Sequence, residues 1–206
     1  QDNLDAIRIA LDYQNGRPLT AEDVASLKKY AGFGGIKAVL YPYGTPEEWQ
    51  ANGATKEDLK HHQGITQLHE LLRENYDDAA YKEIIASLRH SVLTAFYTPE
   101  VVPQTLYSVL EAQGIQPKRL YEPSAGSGVF ISEAVTAFPE LEQITAVEKD
   151  RLTGLVLSAV NSTLPIKTAT HITGFEEAPV RDNGGYDLVV SNIPFGNFSV
   201  YDEAFP

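Results

Sequence analysis

Two short stretches of this sequence combine residue types that can do chemistry. The first is Glu122-Pro123-Ser124-Ala125-Gly126-Ser127-Gly128, an acid followed by small residues and two glycines. Glycines let a backbone approach a ligand closely, and the N–H groups at the start of a following helix favour acceptors or negative charge. The second is Ser191-Asn192-Ile193-Pro194-Phe195-Gly196, which sets an amide, a backbone carbonyl before a proline and an aromatic ring side by side. An Asn–Pro–Phe corner of this kind could face a second planar group. Between these stretches lie Glu148-Lys149-Asp150 and Gly174-Phe175-Glu176-Glu177. Glu148 falls 20 residues after Gly128, close to the spacing at which an acid accepts hydrogen bonds from a ribose diol. Phe175 is a candidate wall for an adenine ring.

Phosphate-chain ligands fit poorly. A dinucleotide fingerprint wants a third glycine at position 131, where Ile131 stands, and the lysine of a nucleotide-triphosphate loop is absent. The set suits a nucleoside without a phosphate chain, held next to a second planar group.

Such residues work together only if strands deliver them to one edge of a sheet. From about residue 95, short apolar runs alternate with helical ones. Strands are expected at Arg119–Glu122, Ile144–Glu148, about Lys167–Thr173 and Tyr186–Ser191, with helices at Val129–Phe138 and about Leu152–Asn161. Strand–helix–strand alternation with short loops predicts an α/β fold with a doubly wound, mostly parallel, Rossmann-like sheet, whose ligands sit beyond the carboxyl ends of the strands. Ahead of the first strand, Thr98 is expected to cap and Pro99 to open a helix with Val102, Leu106, Val109 and Leu110 inward and Gly114 as its stop.

Residues 1–93 read differently, as a helical region without a clear strand. Thr20 with Asp23 predicts a capped helix over Ala21–Tyr30 that stops at Gly32, and Thr45, Pro46 and Glu48 give a second start. Ile65, Leu68, Leu71 and Leu72 share one helical face, as do Ile84, Ile85 and Leu88. The domains expected are therefore 1–93 and 94–206. Gly32–Gly35 reads first as a helix stop and turn, with a ligand or DNA role as the alternative. Lys28-Lys29 reads as a solvated face, and His61, His62, His69 and Glu70 do not make a metal set, so no metal site is expected.

Composition bounds the rest. The chain has 206 residues and 43% hydrophobic content, enough to bury a core, and no apolar run of the roughly 18 residues a membrane helix needs. With no cysteine, thiolate catalysis and disulfide scaffolds are excluded. No leader is evident at Gln1, which makes the cytoplasm the default expectation, and the absence of methionine predicts an excised piece. The net charge of −12 argues against a whole nucleic-acid-binding domain, which usually carries a basic footprint.

The motifs nevertheless resemble one family. Glu122–Phe130 is similar to the S-adenosylmethionine loop of class I amino-methyltransferases, and Asn192–Phe195 to their Asn/Asp-Pro-Pro-Phe/Tyr catalytic motif, with Ile193 in place of the first proline. Ala95-Phe96-Tyr97-Thr98-Pro99 resembles the upstream motif of the N6-adenine DNA methyltransferases in which the cofactor motifs precede the catalytic one. Tyr30–Gly35 resembles the opening of very large phage and mobile-element proteins that join such a methylase to a helicase.

The resemblance implies S-adenosylmethionine as cofactor and adenine in DNA, flipped from the duplex, as substrate, in a restriction-modification setting. It assigns Thr98, Glu122, Ser124, Gly126 and Gly128 to the methionine end, Glu148 to the ribose, and Phe175 with Glu176 to the adenine. Asn192, Ile193, Pro194 and Phe195 become the catalytic set. It further implies a sheet with more strands than the four read here, so a fragment is expected, with DNA-reading surface largely elsewhere. The alternatives are the same fold acting on protein glutamine or RNA, and an inactive methylase-like DNA-binding module.

Overall fold

The computed structural model of the chain describes residues 1–41, 44–94, 98–178 and 185–193, which fall in two compact units, 1–95 and 96–206.

The described part of the first unit is helical: α1 (Asp2–Gln14), α2 (Ala21–Leu27), a short 3-10 helix (Lys37–Leu40), α3 (Pro46–Ala51), α4 (Lys56–Lys60), α5 (His62–Asn75) and α6 (Asp78–Thr94). Both expected capping boxes form, with Thr20 and Asp23 reciprocally bonded before α2 and Thr45 and Glu48 before α3. A third, Thr55 with Asp58, starts α4 and has the same sequence signature. Helix α2 stops at Leu27, three residues earlier than expected, where the chain tightens into turns. Ile65, Leu68 and Leu72 of α5 and Ile84 and Leu88 of α6 are buried, as their spacing requires, while Leu71 and Ile85 are only partly so. His69 is buried too, bonded through Nδ1 to the Tyr81 hydroxyl at 2.7 Å and through Nε2 to the Val39 carbonyl at 2.8 Å.

The second unit is α/β. Helix α7 (Val101–Ala112) leads into β1 (Arg119–Glu122), α8 (Val129–Ala137), β2 (Gln143–Glu148), α9 (Arg151–Asn161), β3 (Lys167–Ile172) and β4 (Leu188–Val189). The four strands form one sheet in the order β3-β2-β1-β4, every pair parallel. Because β1 to β3 step one way and β4 returns to the other side of β1, the strand order reverses between β1 and β4, where such sheets open a ligand crevice.

Three expectations fail in this unit. Helix α7 does not bury Val102, Leu106 and Val109, which are 46%, 39% and 56% exposed; Pro103 and Tyr107 go inward instead, with Leu110 packed beside them. The Tyr107 ring meets Phe130 and Phe138 edge-on at 6.5 and 5.1 Å, and its hydroxyl donates to the Phe130 carbonyl at 2.9 Å. Nor does Thr98 cap this helix: the N-cap position falls on Glu100, which makes no side-chain capping bond. Strand β4 is also shorter than expected. Its ladder covers two residues, and below it the Asp187 carboxylate takes the Lys118 and Arg119 backbone N–H groups at 2.9 Å each.

Candidate functional site

The register puts the chemically interesting ends together. Leu120 faces Leu188 and Tyr121 faces Val189, and the Val190 N–H continues the ladder onto the Tyr121 carbonyl at 3.1 Å. The loop leaving β1 at Glu122 and the segment leaving β4 toward Asn192 therefore emerge side by side, one strand spacing apart (about 4.8 Å). On the other flank Glu122 faces Ala146, so Glu148 at the end of β2 lies just beyond the level of the β1 end.

The β1–α8 loop is fastened to β2. The Ala125 N–H donates to the Val147 carbonyl and the Gly126 N–H to Glu148 Oε2, both at 2.8 Å. The other oxygen, Glu148 Oε1, accepts the Asp150 N–H at 2.7 Å. Gly128 closes the turn at φ +86° as the N-cap of α8, and a Cβ there would meet Leu157 Cδ1 at 2.7 Å. Glycine is required on both counts. The position of the missing third glycine holds Ile131, whose side chain is buried in the core rather than facing the turn.

Two carboxyl groups dominate the electrostatics. Glu122 is 1% exposed, and its Oε2 has no hydrogen-bond partner among the described residues. Burial, with the charge of Glu148 adding, holds its pKa well above the ordinary carboxylate range. Burial also pushes Glu148 up to about 7, although the Asp150 and Gly126 N–H groups pull it down. At neutral pH Glu148 is thus poised between its neutral and ionised forms, ready for a donor that prefers the ionised one.

Beyond β3, Phe175 is 43% exposed rather than core, and Glu176 is held below its usual range by a hydrogen bond to its own backbone N–H, with the Lys149 pair at 3.2 Å adding to it. Across the sheet, Asn192 Nδ2 donates to Thr98 Oγ1 at 3.0 Å, tying the residue before α7 to the end of β4. Ser124 and Gly126 are half-buried, and Ile193 is 60% exposed. Pro194 and Phe195 lie outside the described residues, as do Ala95, Phe96 and Tyr97. The structure therefore gathers Glu122, Ser124, Gly126, Gly128 and Glu148 around one loop and adds Thr98 with Asn192 beside it.

Sequence reasoning missed two residues here. The Ser191 hydroxyl is buried with no partner among the described residues, and Asp150 caps α9 by accepting the Thr153 N–H at 2.8 Å. The cap carried a signal, an Asp just before a helix; Ser191 carried none.

No protein-family model matches the chain. Over 103 residues, 49% of its length, the chain is 46% identical to the type II methyltransferase M.XamI of Xanthomonas campestris pv. amaranthicola, a match that makes up 19% of that protein. Half of this chain is homologous to a methyltransferase. A second relative, the defense against restriction protein B of Escherichia phage P1, is 30% identical over 105 residues, 50% of this chain and 4% of the phage protein. The chain thus spans a small part of the curated relatives it matches. Among solved structures, the methyltransferase subunit of a type I restriction-modification system from Streptococcus thermophilus aligns over 92% of this chain and 44% of its own, at 15% identity and a TM-score of 0.42. A score that low carries no argument about function.

Proposed function

We propose that this chain carries the cofactor loop and the catalytic corner of an S-adenosylmethionine-dependent DNA methyltransferase acting on the N6 amino group of adenine. The observation that carries the reading is the pairing of the β1 and β4 ends, with Asn192 tied to Thr98 beside the Glu122–Gly128 loop. Methyl transfer needs two guests whose reacting atoms lie within about 3–3.5 Å, and a shared edge between two half-sites meets that need.

The donor set fits this cofactor. Glu122 offers a buried carboxyl oxygen without a partner among the described residues, suited to an ammonium group. Each oxygen of Glu148 accepts one backbone N–H, which leaves carboxylate lone pairs for ribose hydroxyls. Exposed Phe175 offers a ring face for adenine, with Glu176 beside it to accept from the adenine amino group. When bound, S-adenosylmethionine supplies an electrophilic methyl group on a sulfonium.

The protein's own work lies on the acceptor side. The amino nitrogen of adenine is a weak nucleophile because its lone pair is delocalised into the ring. The Thr98 bond commits the Nδ2 end of the Asn192 amide and so presents Oδ1 as the acceptor for an amino hydrogen. Accepting the second hydrogen at the Ile193 carbonyl favours a pyramidal nitrogen whose lone pair can form the new N–C bond. S-adenosylmethionine held by the Glu122–Gly128 loop and Glu148 would supply the methyl group and keep the C–S electron pair, and one N6 proton would pass to solvent. Phe195, by resemblance, stacks on a base taken out of the duplex.

The relatives support methyl transfer in a restriction-modification setting: one is a type II methyltransferase and the other a phage protein of defence against restriction. Incubating the full-length protein with cofactor and unmethylated DNA, then digesting to nucleosides for mass spectrometry, tests it. N6-methyldeoxyadenosine is the expected product; methyl groups found instead on cytosine, on RNA or on glutamine would overturn it.

A further inference from the structure

The helical unit contains a feature that methyl transfer leaves unexplained. An open cavity of about 620 Å³ lies among α1, α4, α5 and the turn after α2, within the size range of ligand sites. Its lining includes Arg8, Lys29, Lys60 and His61, the amides Asn3, Gln63 and Gln67, and Phe33, against a single acid, Asp2. In a chain of net charge −12 this is a locally basic, amide-rich hollow.

The turn beside it is built rather than incidental. Asn3 accepts the Ala31 N–H at 2.9 Å and donates to the Gly32 carbonyl, which fastens the Tyr30–Gly35 turn to α1. The Gly35 N–H fastens its other end to the Val92 carbonyl of α6 at 2.9 Å. Gly32 and Gly35 hold left-handed φ values of 64° and 78°, which let the turn double back between those anchors. Phe33, half-buried and edge-on to Tyr30 at 6.4 Å, is thereby held in the cavity wall.

Charge distribution says what such a wall would meet. Each unit holds fourteen acids, but residues 1–95 hold ten of the chain's sixteen lysines and arginines and residues 96–206 only six. Of those six, Lys118 and Lys149 are paired with Glu142 and Glu176. In the cavity, Arg8 touches Asp5 at 3.6 Å and Lys60 touches Glu57 at 2.6 Å, but both pairs are exposed. Exposed pairs contribute little and exchange readily for a phosphate.

We infer that this cavity is a DNA-backbone subsite, in which Arg8, Lys29 and Lys60 engage phosphodiesters and Phe33 packs on the sugar or a base. The choice of DNA rests on the methyltransferase reading; the cationic, amide-lined hollow does not.

Fluorescence anisotropy of labelled oligonucleotides over a salt series tests it on the chain itself. Each phosphate-engaging cation steepens the plot of log affinity against log salt by about 0.9 on duplex DNA. Arg8→Gln, Lys29→Gln and Lys60→Gln are each expected to flatten the slope by about that amount, and Phe33→Leu to weaken binding with the slope kept. Lys56→Gln and Lys82→Gln, which change cations outside the lining, are expected to leave the slope alone, with circular dichroism checking the fold of each variant. Unbound DNA, an unchanged slope in the cavity variants, or equal flattening by the outside variants would overturn the inference. So would deoxyadenosine monophosphate competing as well as the oligonucleotide, which would mark a free-nucleotide site, or an acidic peptide binding where DNA does not. Because anisotropy needs no methyl transfer, DNA binding of this kind by the chain, together with a full-length protein that yields no methylated adenine, would refute the proposed function and leave this subsite standing.

Discussion

The pair of acids around the β1–α8 loop makes a pH signature that can be worked out in sign and size. The ordinary acidity of a glutamate is near 4.5, and burial pushes Glu148 up to about 7. Between those values the folded protein keeps a proton that the unfolded chain has lost, so stability falls as pH rises through the window and levels off above it. The slope from this one carboxyl is at most about 1.4 kcal/mol per pH unit, roughly 3 kcal/mol across the window, reduced by whatever solvent reaches its half-buried edge. Glu122, also raised, adds a slope of the same sign. His69, held low by burial, has the opposite sign: the unfolded chain takes up a proton that the buried ring refuses. The His69 contribution is common to wild type and a Glu148→Gln variant and cancels in the comparison; that of Glu122, set mainly by burial, loses only the part added by the Glu148 charge. Asp23, Asp58 and Glu176 are lowered, so their contributions are lost below this window. Urea unfolding at pH 5, 6 and 7 should therefore show a wild-type decline that Glu148→Gln makes shallower by up to about 1.4 kcal/mol per unit. Parallel profiles for the two proteins would refute the buried-acid reasoning.

Ligand binding should carry the mirror image of that profile. Ribose hydroxyls favour ionised Glu148, so calorimetric affinity for S-adenosylmethionine should rise by up to about tenfold per unit as pH climbs toward 7, then level off; a flat profile would detach Glu148 from the cofactor. Gly128→Ala sets a Cβ against Leu157 at φ +86° and should lower stability by about 2–4 kcal/mol in urea titration, an unchanged midpoint contradicting the turn geometry. Thr98→Val removes the Oγ1 that holds the Asn192 amide, and should slow methyl transfer about tenfold while cofactor affinity changes less. Asp150→Ala should cost about 1 kcal/mol of stability through loss of the α9 cap, as thermal unfolding would read.

Where the sequence was readable, each signal had one interpretation. The Thr45-Pro46-Glu48 start, the buried stripe of α5 and the strand–helix alternation each point one way, and the parallel sheet with its four strands follows. Helix α7 shows the opposite case. Its apolar residues satisfy two stripes, 102-106-109 and 103-107-110, and hydrophobic spacing does not choose between them. The choice falls to Tyr107, whose ring and hydroxyl both find partners on α8, a contact between residues 23 apart that spacing within one helix does not encode. Thr98 was misread for a similar reason. A threonine before a proline is a good local cap, but its hydroxyl instead takes the Asn192 amide from 94 residues away. At the candidate site, the glycine loop and Glu148 were legible because backbone geometry demands those residue types at that spacing. The raised pKa of Glu122 and Glu148 was not, since it depends on how deeply the folded sheet buries them.

The account rests on the claim that the loop after β1 and the corner after β4 serve one reaction. Radiolabelled methyl transfer from S-adenosylmethionine to DNA by the full-length protein, compared with Asn192→Ala, tests this most directly, with cofactor binding measured in parallel. The account predicts a rate loss on the order of 100-fold or more with cofactor affinity retained, because Asn192 acts on the acceptor amino group. Methyl transfer that continues undiminished in the variant would contradict it.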